Sequence, residues 1–330
     1  MNKTYLTWLS PYAWGIALRH YLYDRGILRS RSFQVPVICV GNITVGGTGK
    51  TPMTEFLVGR LLDKGKKPMV LSRGYGRKTR GFRYVTLSTT ASVAGDEPIQ
   101  IKKRFPEAVV AVCEDRVRGV RCLLADYPQD PWIILDDAYQ HRRIRAGKNI
   151  LMTDCSRPFW KDTLLPFGRL RDLPSAARRA DCLVFTRCQP TSPFAGIIER
   201  SLRDIPVFST TMFYGDPVPL NNPGTMPERG SSVLLLTGIA NAAPLRDHLQ
   251  EQFKVECHLE FSDHHRFTKR DLSRIKHMLD EHPGWHLITT AKDAARLSGC
   301  GIAGWIIPME ISFFSEEIAT AFFHLVTGLC

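Results

Sequence analysis

The chain alternates short apolar runs with segments of helical periodicity. Uninterrupted apolar runs rich in β-branched residues fall at 35–40, 68–72, 108–113, 132–135, 149–153 and 182–186. Between and after them, apolar residues recur at three- and four-residue spacing over 52–64, 97–104, 115–126 and 195–203. Continuous rather than alternating apolar runs suit strands buried on both faces. Strands separated by helices imply parallel βαβ crossovers. A second series follows, with strands expected at 232–236, 255–261, 286–290 and 305–311 and helices near 243–252, 269–282 and 315–328. The segment between the two series is rich in Pro, Gly and Asn (DPVPLNNPGTMPERG) and reads as a connection. The pattern therefore predicts an α/β chain of two units: 31–211 and a smaller one at 231–330, joined by a linker at 212–230.

The first run leads into the most informative stretch, VPVICVGNITVGGTGKTPMTEFL. A strand, a glycine-rich turn ending in Gly49-Lys50-Thr51, and an apolar-periodic helix follow one another, which is the layout of a phosphate-binding P-loop. Gly46, Gly47 and Gly49 let successive backbone N–H groups face an anion, and Thr44 and Thr48 complete the loop. Lys50 has the reach for the β- and γ-phosphates, and the Thr51 hydroxyl suits Mg²⁺. Thr44 stands where the generic G-x-x-x-x-G-K-[ST] pattern has glycine. The fold expected for the first unit is a P-loop NTPase-like α/β/α domain, with ATP and Mg²⁺ as its ligands.

Composition adds a partner. The 330 residues carry a net charge of +12, unevenly spread: residues 1–180 hold 31 Lys/Arg against 15 Asp/Glu, and residues 181–330 hold 13 against 17. A basic first half suits an anionic partner. The nine cysteines form no C-x-x-C pair, so a disulfide framework or zinc site is not indicated and a reduced setting is expected. No apolar run reaches the 18 residues of a membrane span. The first 30 residues nevertheless combine Trp8, Tyr12, Trp14, Tyr21 and Tyr23 with Arg19, Arg25, Arg29 and Arg31. Trp14, Leu18, Tyr21 and Leu22 share one helical face, which predicts a membrane-associating N-terminal helix lying on anionic lipid.

Further chemistry is carried by acids and histidines. Asp136-Asp137 ends a buried run downstream of the P-loop, where a carboxylate holds Mg²⁺ against phosphates. Gln140 and His141 follow within reach of the same cleft, and Gln140 is counted with the nucleotide-binding residues. Gly95-Asp96-Glu97-Pro98 opens a helix, so its acids can accept a hydroxyl proton or simply cap. Asp263-His264-His265 follows a strand, and adjacent histidines point different ways, so one of them serves a given site. Arginine-rich turns at 73–77, 114–116 and 168–171 can bind phosphate, although each reads by itself as a solvated surface group.

Taken together these stretches resemble the tetraacyldisaccharide 4′-kinase (lipid A 4′-kinase) family. The resemblance rests on VGNITVGGTGKTP, LSRGYGRK, GDEP, EDR, LDDAYQHRR, LLPFGRLRDLP, TGIAN, FSDHHRFT and TTAKDAARL, in the family's order across nearly the whole chain. Thr44 is usual in that family's P-loop. Ala138-Tyr139 and Ala291 depart from its usual Gly-Phe and Glu. The resemblance implies ATP-dependent phosphorylation of the 4′-hydroxyl of a tetraacylated glucosamine disaccharide 1-phosphate, giving lipid IVA, by a monotopic enzyme on the cytoplasmic face of the bacterial inner membrane. It implies Asp96 as catalytic base, His264 as its partner, Arg116 near the phosphates, and no nucleic-acid partner. The rival is a membrane-associated switch ATPase of the K-G-G-x-G-K-[ST] type, whose signature lysine is here Val45.

Overall fold

The computed structural model describes residues 10–189, 202, 204–297 and 299–329. The expected helix at 195–203 lies outside them apart from Leu202, as do Tyr5 and Trp8. Fourteen strands form among the described residues: β1 (Val37–Gly41), β2 (Lys67–Ser72), β3 (Arg83–Tyr84), β4 (Val109–Val112), β5 (Pro131–Asp136), β6 (Lys148–Asp154), β7 (Cys182–Thr186), β8 (Val207–Tyr214), β9 (Val218–Leu220), β10 (Ser232–Thr237), β11 (Lys254–Glu260), β12 (His286–Thr290), β13 (Gly304–Ile307) and β14 (Met309–Phe313). The α-helices are α1 (Pro11–Asp24), α2 (Lys50–Asp63), α3 (Ala91–Ala94), α4 (Asp96–Arg104), α5 (Arg116–Asp126), α6 (Ala243–Gln250), α7 (Lys269–Glu281), α8 (Ala291–Arg296) and α9 (Glu316–Thr327).

Nine strands make the larger sheet, in the order β14-β8-β7-β6-β1-β5-β2-β4-β3. Its seven inner strands are parallel, and β3 and β14 run antiparallel at the edges. All five residues of β1 are buried, as a central parallel strand requires. Its side chains alternate between two cores. Ile38 and Val40 join Met53, Leu57 and Leu61 of α2 and Phe322 of α9 on one face. Val37 and Cys39 join Ala13 of α1 and Val117, Val120 and Leu123 of α5 on the other. The smaller sheet, β11-β10-β12-β13-β9, is covered by α7 and α8 on one face and by α6 on the other.

The structure corrects the expected boundaries in two places. The run at 305–311 is two strands, because Pro308 has no N–H for a ladder and interrupts it. Beyond that break the chain leaves the smaller sheet: β14 pairs with β8, and α9 packs Phe322 against Phe56, Phe208 and Phe313. Residues 309–327 thus complete the first unit, not the second. The expected linker also carries structure, since 212–214 end β8 and β9 pairs with β13. The smaller unit is therefore inserted into an edge of the larger. Chain leaves through Gly215 and returns through Pro308, whose carbonyl accepts from the Gly215 N–H at 2.9 Å.

Candidate active site

The loop between β1 and α2 takes its shape from two glycines in the left half of conformational space, Gly46 (φ 106°) and Gly49 (φ 78°). A Cβ on Gly49 would approach Thr186 Cγ2 to 3.2 Å. Beneath the loop, Asn42 Nδ2 donates to Thr48 Oγ1 at 2.6 Å, and Thr186 Oγ1 donates to the Thr48 carbonyl at 3.3 Å. Thr44 bridges Leu170, and Val45 N–H donates to the Arg169 carbonyl at 2.7 Å, so the 163–172 segment braces the loop's outer side. Gly47 lies beside Arg187. Lys50 and Thr51 open α2, where backbone N–H groups are free for an anion. The Lys50 ammonium is mostly buried and, among the described residues, has only long contacts, to the Gly46 carbonyl at 3.5 Å and to Asp137 at 4.0 Å. Burial lowers its pKa against the pull of Asp137. A buried cation so weakly paired fits a phosphate.

The two neighbouring acids differ. Asp136 ends β5 opposite Val40, is 3% exposed, and accepts from Thr54 Oγ1 at 3.3 Å. Burial, then Asp137 and Glu97, push its pKa up to about 6. A buried carboxylate with one neutral donor fits a cation. Asp137 sits in a left-handed conformation (φ 47°) and is held by both terminal nitrogens of Arg171. Burial would raise its pKa, but Lys50 and Arg171 outweigh that and hold it below its usual value. Arg171 Nη2 also donates to Asn42 Oδ1 at 2.5 Å, linking acid to loop. Arg116, 2% exposed, donates to the Cys113 carbonyl at 2.8 Å and lies in the field of both acids. Its Nε is buried with no hydrogen-bond partner among the described residues. Gln140 donates to the Asn42 carbonyl at 2.8 Å, at the foot of the loop.

The second cluster joins the two sheets. Gly95 (φ 88°) turns the chain so that Asp96 begins α4, and a Cβ there would come within 2.6 Å of the Tyr75 carbonyl. From the smaller unit, His264 Nδ1 lies 3.1 Å from Asp96 Oδ2, and Arg296 Nε and Nη2 reach the same oxygen at 2.8 and 2.7 Å. Burial opposes ionisation of Asp96, yet the His264 and Arg296 hydrogen bonds prevail and lower its pKa. The bond to Asp96 raises that of His264. Arg296 is anchored in turn by Asp293 and the Gly238 carbonyl, each at 2.8 Å. A cavity of about 240 Å³ opens on the pair, walled by Tyr75, Thr90, Ser92, Arg266 and Phe267. Beside it Glu97 pairs with Lys292 at 3.3 Å. Glu97 adds to the field at Asp136 and Lys292 to that at Lys50, so the two clusters lie within electrostatic range of each other.

Of the adjacent histidines, His264 faces the cleft. His265 instead stacks on Phe261 and bonds Asp271, the acid of the capping box that starts α7. The arginine turns are mixed: Arg73 and Arg169 are exposed, while others are engaged by acids or backbone. Arg171 and Arg116 are described above, and the Arg77 side chain, 3% exposed, pairs with Glu114. In the sequence Arg171 stands out only as part of an arginine-rich turn, and Arg296 only as part of TTAKDAARL. Arg296 stands one turn from Asp293, a spacing that marks an ion pair but not the further acid across the fold, and the acid that Arg171 holds, Asp137, is 34 residues away.

A strand–P-loop–helix with a buried acid on the neighbouring strand, and an acid–histidine pair within its electrostatic range, defines a P-loop phosphotransferase. The family model described as tetraacyldisaccharide-1-P 4′-kinase matches residues 4–326, and the chain belongs to that family. It is 39% identical over 335 residues to the tetraacyldisaccharide 4′-kinase of Phocaeicola vulgatus, covering 94% of this chain and 91% of that one. To the enzyme of the same name from Bacteroides fragilis it is 43% identical over 310 residues, covering 88% and 82%. The crystal structure of LpxK from Aquifex aeolicus in complex with ATP superposes with a TM-score of 0.75 at 31% identity, covering 97% of each chain.

The Asp136 environment makes a pH prediction. Its folded pKa, about 6, lies above the unfolded value, so its contribution to stability is complete below about pH 3.9 and is lost as pH rises through 6. Metal-free Asp136→Asn should therefore be more stable than wild type at pH 8, by on the order of 3 kcal/mol, with the gap closing near pH 4. Urea unfolding in chelator at both pH values tests this. A gap of equal size at both, or a less stable variant at pH 8, contradicts it.

Proposed function

We propose that this protein transfers the γ-phosphoryl group of ATP to the 4′-hydroxyl of tetraacyldisaccharide 1-phosphate, giving lipid IVA. The observation that carries this reading is the Asp96–His264 pair, formed between the two units, with its neighbours Glu97 and Lys292 in the electrostatic field of Asp136 and Lys50. A switch ATPase has no need of a proton acceptor delivered from a second unit, and Val45 replaces its signature lysine. The P-loop amides and Lys50 hold the phosphates and oppose the negative charge that spreads over the transferring group. A bound Mg²⁺ would supply positive charge against the phosphates. Thr51 and Asp136 are the side chains that would hold it, since Asp137 is already engaged by Arg171. Arg116 adds positive field behind the acids.

Asp96 orients the sugar hydroxyl and takes its proton. His264 shares that proton, because the hydrogen bond that keeps Asp96 ionised also raises the histidine's affinity for it. The cavity walled by Tyr75, Thr90 and Ser92 offers hydroxyl groups and an aromatic face suited to a sugar.

The acceptor's acyl chains direct attention to α1. No helix of the described residues is long and apolar enough to cross a membrane. We infer instead that α1 lies on the cytoplasmic face of the inner membrane. Trp14 and Leu18 are each 59% exposed and Tyr21 52%, while Ala13 on the opposite side is buried. Arg25 lies over the Tyr21 ring. An aromatic–arginine face of this kind suits the headgroup layer of anionic lipid.

Incubation with ATP, Mg²⁺ and tetraacyldisaccharide 1-phosphate should add one phosphate to the acceptor, read by mass. Lys50→Ala should lower kcat roughly a hundredfold or more; near wild-type turnover would remove the loop as the ATP site. Asp96→Asn and His264→Ala should each lower kcat while ATP binding survives. The double variant should be little worse than the poorer single one, because paired groups act as a unit; fully multiplying losses would dissolve the pair. Replacing Arg25, Arg29 and Arg31 by Gln should weaken binding to anionic vesicles by about 1 kcal/mol per residue near the surface, and salt should screen the attraction. Binding indifferent to both changes would make α1 a packing helix only.

A further inference from the structure

Glu55 has no part in the chemistry above, yet it is a carboxylate placed among the core residues of the P-loop helix. It is 3% exposed, and its neighbours Met53, Leu57 and Val58 are fully buried. Oε1 accepts from Gln100 Nε2 at 2.8 Å and Oε2 from Arg104 Nη1 at 3.0 Å, both on α4. Arg104 Nη2 continues to Glu310 on β14 at 2.5 Å. Burial is severe enough to push the Glu55 carboxyl up to about 7 despite Arg104. An apolar side chain would fill the same space without desolvating a charge, and buried ion pairs seldom stabilise more than such a replacement.

The helical spacing shows what the carboxylate does that an apolar group would not. Thr51 and Glu55 are one turn apart on α2. Asp96, Gln100 and Arg104 follow at four-residue intervals on α4 and so share one face of it. The Glu55–Gln100 hydrogen bond lies one turn from Thr51 on one helix and one turn from Asp96 on the other. The adjacent Thr54 donates to Asp136. Apolar contacts such as Gly59 against Phe105 hold the helices together but leave rotation and sliding soft. Two directional bonds from one carboxylate to positions 100 and 104 fix the register and roll of α4, and with them the bearing of Asp96 on the phosphate site.

We propose that Glu55 is a positioning residue for phosphoryl transfer, setting through Gln100 and Arg104 the placement of Asp96 relative to the P-loop. This rests on the kinase reading with Asp96 as proton acceptor. The test uses the full chain with ATP, Mg²⁺ and tetraacyldisaccharide 1-phosphate. Glu55→Met fills the space without the bonds. It should lower kcat roughly tenfold to a hundredfold, as a misplacement near 1 Å does, with KM for ATP within about twofold of wild type and Tm unchanged or higher. Glu55→Gln, which keeps one acceptor oxygen, should fall between. In an Asp96→Asn background, Glu55→Met should add little, because the group it positions is already gone. Should Glu55→Met not fold, Gln100→Met removes the nearer bond from the other helix and is read the same way. Turnover within twofold of wild type, an equal fractional loss in both backgrounds, or a loss matched by weaker ATP binding would overturn the proposal. A wild type inert toward the acceptor would overturn the kinase reading and this inference with it.

Discussion

Because β1 and β5 pair in parallel with Val40 opposite Asp136, the phosphate loop and the buried acid leave the sheet at the same edge, side by side. The carboxyl edge of a parallel sheet is where successive strands release their loops into one crevice. Thr186 at the end of β7 supports the loop from below, and Asp137 follows Asp136 into the Arg171 fork. Shifting β5 by one residue would send Asp136 into the opposite core and remove the acid from Thr54. The register is held by the apolar side chains that both strands bury on both faces, so packing far from the cleft determines its charge pattern.

The remaining groups come from a distance and depend on arginines. Arg171 ties Asp137 to Asn42, and Arg296 ties Asp96 to Asp293 and Gly238. Each guanidinium satisfies a carboxylate that burial would otherwise drive toward neutrality. The same segment that carries Arg171 also meets α1: Tyr12 donates to the Arg171 carbonyl, and His20 pairs with Asp172 at 2.5 Å. Arg19 donates to the Gln140 carbonyl at 2.7 Å. The helix whose aromatic face turns outward is thus bonded through its inner face to the segments bracing the P-loop.

What could be read from residues alone follows the range of each interaction. The P-loop is a local motif, so glycines, lysine and flanking strand and helix stand together in the chain. Asp136 is marked by the apolar run it terminates. Asp96 and His264 are 168 residues apart, and nothing in either neighbourhood names the other; only likeness to a family joined them. Arg171 and Arg296 read as surface charge because composition does not distinguish a solvated arginine from one buried on an acid. β8 escaped notice because Ser209, Thr210 and Thr211 interrupt its apolar pattern. The return of β14 to the larger sheet escaped because strand order along a chain does not reveal sheet membership.

The paired crossings at Gly215 and Pro308 have a temporal side. Residues 218–307, which contain every strand of the smaller sheet, emerge from synthesis as one uninterrupted stretch and can fold on local information. The larger sheet has by then presented β8 with its outer edge bare and the Phe56 face of α2 uncovered, since β14 and α9 are still to come. An unpaired strand edge and an exposed aromatic patch are what aggregation and chaperones recognise. In the finished molecule the same late segment carries Glu310, the outer end of the chain of bonds through Arg104 to Glu55. The P-loop helix can therefore receive its last partners only after the unit bearing His264 has been made.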